Sequence, residues 1–322
     1  MTDTWVSAHL FHYGDLDALI AGVVGPVVEQ LTQSGAVDRY FFLRYWEGGQ
    51  HIRLRMRVTE LEQQAMVRDL VQARARTYFA ANPSAAPISQ HDYEAFAARA
   101  ARGERRQDHD ARLRAGDAAE FIVYRPEYSA FGDAECVSAV EEHFTDSSRL
   151  ALEIVSAGAS RNRRAATALA TLTTAVAAGA VDLADAASRY AAAQTAAGPE
   201  EPLPRASDAL YEPHRDALLR QTRRLWELDP ERGAAGQWLR SIRRLRDRLE
   251  LLEAEGRCKP ADPGSPHAHL ALTAPPPRRT VPLILLRCAH LLHNRLGVDR
   301  ESELRVCALL GRALIDLADT WR

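Results

Sequence analysis

Residues 39–58 constrain the fold more than any other stretch of the chain. They read RYFFLRYWEGGQHIRLRMRV, which is two strand-like runs joined by a glycine-containing turn. In the second run, apolar residues alternate with His51, Arg53, Arg55 and Arg57, and a period of two is typical of a β-strand with one apolar face. Glycines in the turn can adopt positive φ at no steric cost. The stretch therefore predicts a β-hairpin whose second strand has a basic face.

This basic face could hold a carboxylate or polarise an amide carbonyl, because a guanidinium group donates several hydrogen bonds in a fixed geometry. Like charges this close on one strand are destabilising unless something negative lies opposite them. A solvated sheet face is the alternative interpretation. We favour an anionic partner or an internal carboxylate, and the binding candidates are His51, Arg53, Arg55 and Arg57.

The segments around the hairpin predict a ferredoxin-like order of elements. Residues 4–13 and 120–128 have the composition of strands, and the apolar residues of 16–35 and 60–81 follow helical spacing. Pro26 interrupts the first helical run and predicts a kink or a break there. The order β-α-β-β-α-β is that of a ferredoxin-like α+β sandwich.

The remainder of the chain predicts helices. The helical segments are 134–157 with a polar break at 145–148, an alanine-rich stretch at 162–197, a long basic segment at about 207–256, and two closing helices at 281–296 and 299–320. Residues 102–117 are highly charged and predict an exposed loop. We expect an α+β sheet region at 1–132 and a helical region at 133–322, packed as one compact unit.

Composition excludes several classes of function. The chain has 322 residues with 41 basic and 43 acidic side chains, so nucleic acid is a weak candidate partner. The four cysteines lack the spacing of a disulfide framework or a zinc site. The sequence contains no P-loop, no GxGxxG, no GxSxG and no HExxH. It also shows neither a membrane-length apolar run nor a signal peptide, and we expect a cytoplasmic protein without a membrane partner.

Two further groups of residues could transfer protons. Tyr124 and Glu127 lie at the end of the last predicted strand, where a carboxylate could act as a general base, although a simple strand-terminal turn is the alternative. On a helix, His290, His293 and Asn294 share one face. Histidine is the usual proton-transfer residue near neutral pH. A metal site would need a third ligand, which we do not find in the sequence, so we expect no metal.

Four ordered blocks resemble the carboxy-terminal, elimination-type domain of class I lanthipeptide dehydratases, which also occurs alone as the thiopeptide-type bacteriocin biosynthesis protein. The blocks are the hairpin DRYFFLRYWEGGQHIRLR and residues 124–132, 142–148 and 290–296. They extend over essentially the whole chain, with a poorly matched middle. The resemblance implies the fold of that domain, an N-terminal sheet region followed by a mostly helical half.

The departures from the family pattern favour one branch of the family. The residues that match those implicated in glutamate elimination are Arg53, Arg55, Glu127 and His290. However, Ala130 stands where the family has a second arginine, and Phe131 stands where it has a tyrosine. Loss of an arginine that would grip the departing glutamate disfavours elimination. It favours the pyridine synthases of thiopeptide antibiotics, which perform a formal [4+2] aza-cycloaddition between two dehydroalanines of a modified precursor peptide.

The resemblance thus implies a cofactor-independent enzyme that closes a macrocycle and releases water and an acidic leader peptide. It assigns proton handling to Tyr124, Glu127 and His290. The substrate- or leader-binding candidates are His51, Arg53, Arg55, Arg57, Asn294 and Arg295. Two alternatives stay open, namely a glutamate-elimination subunit of a split dehydratase and a non-catalytic leader-binding subunit. A homodimer also stays open.

Overall fold

The computed structural model divides into two compact units. It describes residues 4–84, 88–103, 109–197, 210–229 and 233–320. The first unit extends to Arg125 and includes Leu152–Gly158, and the second comprises Pro126–Ala151 and Ala159–Arg322. The expected boundary at residue 132, and the packing of the two regions as one compact unit, stay predictions. The described part of the chain has no single helix that is long and apolar enough to cross a membrane; Arg161–Gly179 and Leu183–Ala193 meet that test only as a pair bent by 108°.

A four-stranded antiparallel sheet organises the first unit. Its strands are β1 (Trp5–Phe11), β2 (Val37–Tyr45), β3 (His51–Val58) and β4 (Ala118–Phe121), in the order β2-β3-β1-β4. In this register Leu54 lies opposite both Ala8 and Phe42, and all three are fully buried. The α+β prediction is confirmed, since the strand order and the intervening helices are those of a ferredoxin-like sandwich.

Helices cover one face of this sheet. They are α1 (Leu16–Leu19), a π-helical turn (Ile20–Val24), α2 (Gly25–Gln33) and α3 (Gln63–Ala81). A further helix, α4 (Gln90–Gly103), contacts the β2–β3 turn, where the hydroxyl of Tyr93 accepts a hydrogen bond from the backbone N–H of Gly48. Asp15 caps α1 by accepting a hydrogen bond from the backbone of Asp17. Pro26 does not end the helix. It stands in the first turn of α2, directly after the π-helical turn, where the missing N–H costs little.

β4 is shorter than the sequence predicts. The segment 120–128 is strand-like in composition, but β4 ends at Phe121, and the backbone N–H of Ile122 makes one more bond to the carbonyl of Ser7. Val123 is 73% exposed, and Pro126 has no N–H to donate. The chain therefore leaves the sheet before Tyr124.

The second unit is helical. Its helices are α5 (Tyr128–Phe131), α6 (Ala134–Ser156, which belongs to the first unit from Leu152 onward), α7 (Arg161–Gly179), α8 (Leu183–Ala197), α9 (Arg215–Trp226), α10 (Gly233–Ala254), α11 (His269–Leu272), α12 (Thr280–Leu296) and α13 (Arg300–Thr320), with 3₁₀ turns at Glu212–His214 and Pro276–Arg278. The two closing helices are confirmed. The alanine-rich stretch forms two helices, because Asp182 interrupts it and caps the second through the backbone of Asp185.

α6 continues through the segment 145–148, where the sequence predicts a polar break. Thr145 bonds back to the carbonyl of Glu141 at 3.2 Å, and Ser147 and Ser148 are buried. The hydroxyl of Ser147 accepts a hydrogen bond from Arg295 at 3.0 Å. Satisfied hydroxyl groups do not break a helix, so the prediction of a break is wrong. Of the predicted loop and the long basic segment, residues 104–108, 207–209 and 230–232 lie outside the described residues.

Candidate functional site

One face of the sheet in the first unit carries a basic cluster. We call His9, His51, Arg53, Arg55 and Arg57 the arginine face. β1 and β3 pair antiparallel, so that His9 lies opposite Arg53. The alternation of the strands puts these side chains on the face opposite Ala8 and Leu54. His9 and His51 are only 6% and 0% exposed, so this face is not a freely solvated surface.

The two histidines of the arginine face are neutral acceptors. Their rings stack with centroids 4.9 Å apart. Burial and the charge of Arg55 lower the pKa of His9 to about 2, and burial lowers the pKa of His51 to about 3. Nδ1 of His51 donates to the carbonyl of Gly49 at 2.7 Å, which leaves Nε2 to accept from Nε of Arg53 at 3.3 Å. Nε2 of His9 lies 3.3 Å from Nη2 of Arg55. Each histidine therefore orients one arginine.

Two arginines of this face also have internal carboxylate partners, as the sequence suggested. Nη2 of Arg53 lies 3.2 Å from Oε2 of Glu47, and the guanidinium carbon lies 3.4 Å from the ring centroid of Tyr45. Nε of Arg57 donates to Oδ1 of Asp38 at 2.8 Å. Arg53 is thus fixed from two sides, whereas Arg57 forms an ion pair near the end of the strand.

Tyr124 lies beside Arg55. The ring of Tyr124 contacts those of Trp5 and Phe41, with centroids 5.2 and 5.9 Å away, and the guanidinium carbon of Arg55 is 5.6 Å from the centre of the Tyr124 ring. The structure therefore brings together two candidates that are 69 positions apart in sequence. Proton handling by Tyr124 stays a prediction.

The second unit holds a separate cluster around Glu303 on α13. We call His267, His290, His293 and Glu303 the histidine–glutamate cluster. Nε2 of His267 and Nδ1 of His293 lie 2.9 and 2.8 Å from Oε1 of the glutamate. Nδ1 of His290 lies 2.9 Å from Oε1 and 3.0 Å from Oε2. The side chain of His290 is 31% exposed, whereas the other three are at most 5% exposed. His290 is therefore the member of the cluster that a peptide could reach.

Hydrogen bonds keep the buried carboxylate of this cluster ionised. Burial alone would raise the pKa of Glu303, but the bonds from the three histidines outweigh it and hold the pKa well below its usual range. Burial lowers the pKa of His267 to about 4, so its imidazole is neutral at pH 7. Since a carboxylate only accepts, the ring nitrogens that face it must carry hydrogen.

Three members of the cluster could also hold a metal ion. His267, His293 and Glu303 offer ligand atoms that all lie within 4.8 Å of one another. The sequence argument did not find these ligand groups because it considered only neighbours in sequence, and the expectation of no metal stays a prediction. The separations of 2.8 and 2.9 Å between nitrogen and oxygen fit hydrogen bonds better. Tetrahedral zinc, with bonds of about 2.0–2.1 Å, would keep neighbouring ligand atoms about 3.3 Å apart.

Glu127 pairs with Arg287 rather than with His290. Oε2 of Glu127 lies 3.3 Å from Nη2 of Arg287, and its side chain is 51% exposed. Nη1 of the same arginine donates to the carbonyl of Gly264 at 2.7 Å. Arg287 thus connects the segment around Glu127 to the segment that precedes α11. A role of Glu127 in proton transfer stays a prediction.

The last two candidates on α12 differ in accessibility. Asn294 is half-buried, one turn after His290. Arg295 is fully buried, donates to Ser147, and places its guanidinium carbon 4.8 Å from the ring centroid of Phe144. In this conformation the contacts of Arg295 with Ser147 and Phe144 join α12 to α6 within the helical unit. Contact of either residue with a peptide stays a prediction.

Sequence reasoning missed several residues of these clusters. His9 could have been identified, because the buried alternation of Val6, Ala8 and Leu10 leaves it on the same face as Arg55. Glu303 gives no such signal. It stands in the first turn of a helix, where acidic residues are common for reasons of helix capping and dipole.

Comparison with known proteins agrees with this fold. No curated protein matches the chain. Among solved structures, the pyridine synthase TbtD from thiomuracin biosynthesis is similar, with 19% identity, a TM-score of 0.77, and coverage of 98% of this chain and 99% of that one. TsrL is 18% identical with a TM-score of 0.69, covering 98% and 95%. At these identities the similarity shows a shared fold.

The tRNA-dependent lantibiotic dehydratase MibB from Microbispora sp. 107891 is similar over only part of its length. Identity is 19% and the TM-score is 0.54, with coverage of 99% of this chain and 28% of MibB. The model of the family described as "Lantibiotic biosynthesis dehydratase C-term" matches residues 5–314. Since that match includes nearly the whole sequence, the chain belongs to the lantibiotic dehydratase C-terminal domain family.

Proposed function

We propose that this protein is a thiopeptide pyridine synthase, which joins two dehydroalanines of a modified ribosomal peptide in a formal [4+2] aza-cycloaddition. The supporting observation is the end-to-end likeness to TbtD, over 98% of this chain and 99% of that one, compared with 28% of the dehydratase MibB. The alanine at position 130 adds support. Ala130 is 2% exposed. By the family resemblance, it stands at the position where the elimination-type domains have an arginine.

The proposed reaction needs one group that can both accept and donate a proton. Tautomerisation of an amide moves a proton from nitrogen to oxygen and turns one dehydroalanine into a 2-azadiene. Two carbon–carbon bonds to the second dehydroalanine then close the ring, and loss of water and of the leader peptide as an amide gives the pyridine. His290 is suited to carry the proton, because its Nδ1 is held by Glu303 while part of its ring is exposed.

The remaining demand is to hold two distant peptide segments together, which is mainly an entropic task. The arginine face supports this role. Arg53 and Arg55 are oriented by neutral histidines, and an oriented guanidinium binds a carboxylate or a backbone carbonyl at a lower entropic cost than a free one. We therefore assign the acidic leader, or the peptide carbonyls next to it, to this face.

Glutamate elimination is the second candidate, and the likeness to MibB favours it. Such an enzyme would remove glutamate from glutamylated serine or threonine in a precursor peptide. The third candidate is a subunit that binds the leader without turnover. The three candidates differ in what happens to a peptide mass, so one experiment separates them.

The test is incubation of the purified protein with two peptides, followed by mass spectrometry. One is an azole-containing peptide with an acidic leader and two dehydroalanines, and the other carries a glutamylated serine. A pyridine synthase releases water and the leader from the first peptide and leaves the second unchanged. Loss of glutamate from the second peptide instead would establish elimination, and binding without any mass change would establish the leader-binding subunit.

A substitution of His290 examines the assigned role. His290→Asn should lower turnover of the dehydroalanine peptide by about 10²- to 10⁴-fold, the usual contribution of a proton-transfer group, while leader affinity stays the same. His91→Asn is the matched control, since His91 is exposed on α4 in the first unit. Equal activity of the two variants would remove His290 from the mechanism.

A further inference from the structure

We propose that Glu303 is a positioning residue that fixes His290 in the tautomer with hydrogen on Nδ1, leaving Nε2 to exchange protons with the peptide. The inference rests on the proposed function for its chemical meaning. The tautomer itself is a property of the protein that can be measured without any substrate.

The geometry of the pair carries the first step. Nδ1 of His290 lies 2.9 and 3.0 Å from the two oxygens of Glu303, so the imidazole faces the whole carboxylate. An ionised carboxylate has no hydrogen to donate. Nδ1 must therefore donate, and in a neutral ring the other nitrogen then has a free lone pair. This is the form of histidine that can accept a proton at Nε2.

The second step concerns what holds the carboxylate in place. Glu303 is 4% exposed, and it accepts hydrogen bonds from His267 and His293, whose side chains are fully buried. These two histidines come from different parts of the second unit, the segment before α11 and the helix α12. Both bonds are made to Oε1, the same oxygen that lies 2.9 Å from Nδ1 of His290, so the carboxylate could turn away from His290 only by breaking them. The orientation of the exposed histidine is thus set by buried groups.

Packing alone does not explain why an ionised glutamate is buried at position 303. Burying an ionised carboxylate is costly, and replacing a buried charged group by a hydrocarbon side chain of similar volume is often neutral or stabilising. Each of the three histidines instead aims a ring nitrogen at the same side chain. We infer that this arrangement of three histidines around Glu303 serves to orient the partly exposed ring of His290.

The experiment is nitrogen-15 NMR of protein labelled at histidine, with the His290 signals assigned from the His290→Asn variant. The wild type should show the tautomer protonated at Nδ1. In Glu303→Gln the amide can either donate or accept, so the tautomer protonated at Nε2 should become populated. Glu301→Gln is the matched control, because Glu301 lies on the same helix with 83% of its side chain exposed.

Turnover provides the second reading. Glu303→Gln should lower kcat by at least about tenfold with little change in KM, because the ring is misoriented while the peptide still binds. Glu301→Gln should match the wild type. If Glu303→Gln does not fold, the His290 tautomer in the wild type still tests the proposal. A wild-type ring with hydrogen on Nε2 and none on Nδ1 would overturn it.

The remaining outcomes are also decisive. A stoichiometric zinc content in the purified protein that is lost in Glu303→Gln would overturn the proposal, because the cluster would then be a metal site. The expected tautomer in a protein that converts neither test peptide would keep the positioning role and refute the proposed function. An unchanged tautomer in Glu303→Gln, with full activity on the dehydroalanine peptide, would refute the positioning role and keep the proposed function.

Discussion

His143 on α6 should make the helical unit sensitive to acid. Its side chain is 2% exposed, and its ring lies 4.8 Å from that of Trp238. Nδ1 lies 2.9 Å from the hydroxyl of Ser241, which donates to Asp146 at 2.8 Å. The ring therefore donates through Nδ1, and its buried Nε2 has no hydrogen-bond partner among the described residues. Substitution by phenylalanine would keep an aromatic ring there and remove the titrating group.

The size of the effect follows from the pKa. Burial, with the charges of Arg295 and Arg244, lowers the pKa of His143 from 6.5 to about 3. A folded pKa below the unfolded one means that the full contribution to stability is present above pH 6.5 and is lost as the pH falls below that value. Linkage gives a loss of about 0.2 kcal/mol at pH 7 and about 2 kcal/mol at pH 5.

The assay is urea unfolding followed by circular dichroism at pH 7 and pH 5 at equal ionic strength. The fall in free energy of unfolding between the two pH values should be about 2 kcal/mol smaller in His143→Phe than in the wild type. Other buried histidines contribute equally to both proteins and cancel in the difference. His91→Phe, which replaces an exposed histidine, should behave as the wild type. An equal fall in wild type and His143→Phe would refute the reasoning.

Three further predictions concern other parts of the molecule. Gly311→Ala should destabilise the second unit by about 1–3 kcal/mol, measured as a fall in Tm, because a Cβ there would lie 1.9–2.2 Å from the ring of Tyr190. Arg55→Ala should weaken leader binding by about 10- to 100-fold in fluorescence anisotropy. Arg57→Ala should change the Kd less than threefold, and equal losses would contradict the assignment of roles on the arginine face. Ser160→Ala should cost about 1 kcal/mol in urea unfolding, because Ser160 caps α7.

The sheet region could be predicted because its signals are local. An alternation of period two identified β3, and the glycines of the turn do have positive φ, 79° at Gly48 and 111° at Gly49. The end of β4 could not be predicted in the same way. Ile122 and Val123 have strand-forming side chains, and β1 continues past Ala8 to Trp5, so neither propensity nor the length of the partner strand marks the point where the chain leaves the sheet.

The site could be predicted only in part, for a related reason. Residues on one strand or one helix, such as Arg53 with Arg55 or His290 with His293, share a face by simple periodicity. The partners that set their chemistry come from other elements. Glu303 joins His267 only because α13 returns beside the segment before α11, and no single window of sequence contains both residues.

The low pKa values of His9 and His51 have a consequence for kinetics. Between pH 5 and pH 8 neither imidazole gains a proton, so the arginine face presents a constant charge over the range in which most enzymes are assayed. Peptide affinity assigned to this face should then be level across that range. Any bend in a plot of kcat against pH would then report on the groups that transfer protons. A single pH series would therefore separate effects on peptide binding from effects on the chemical step.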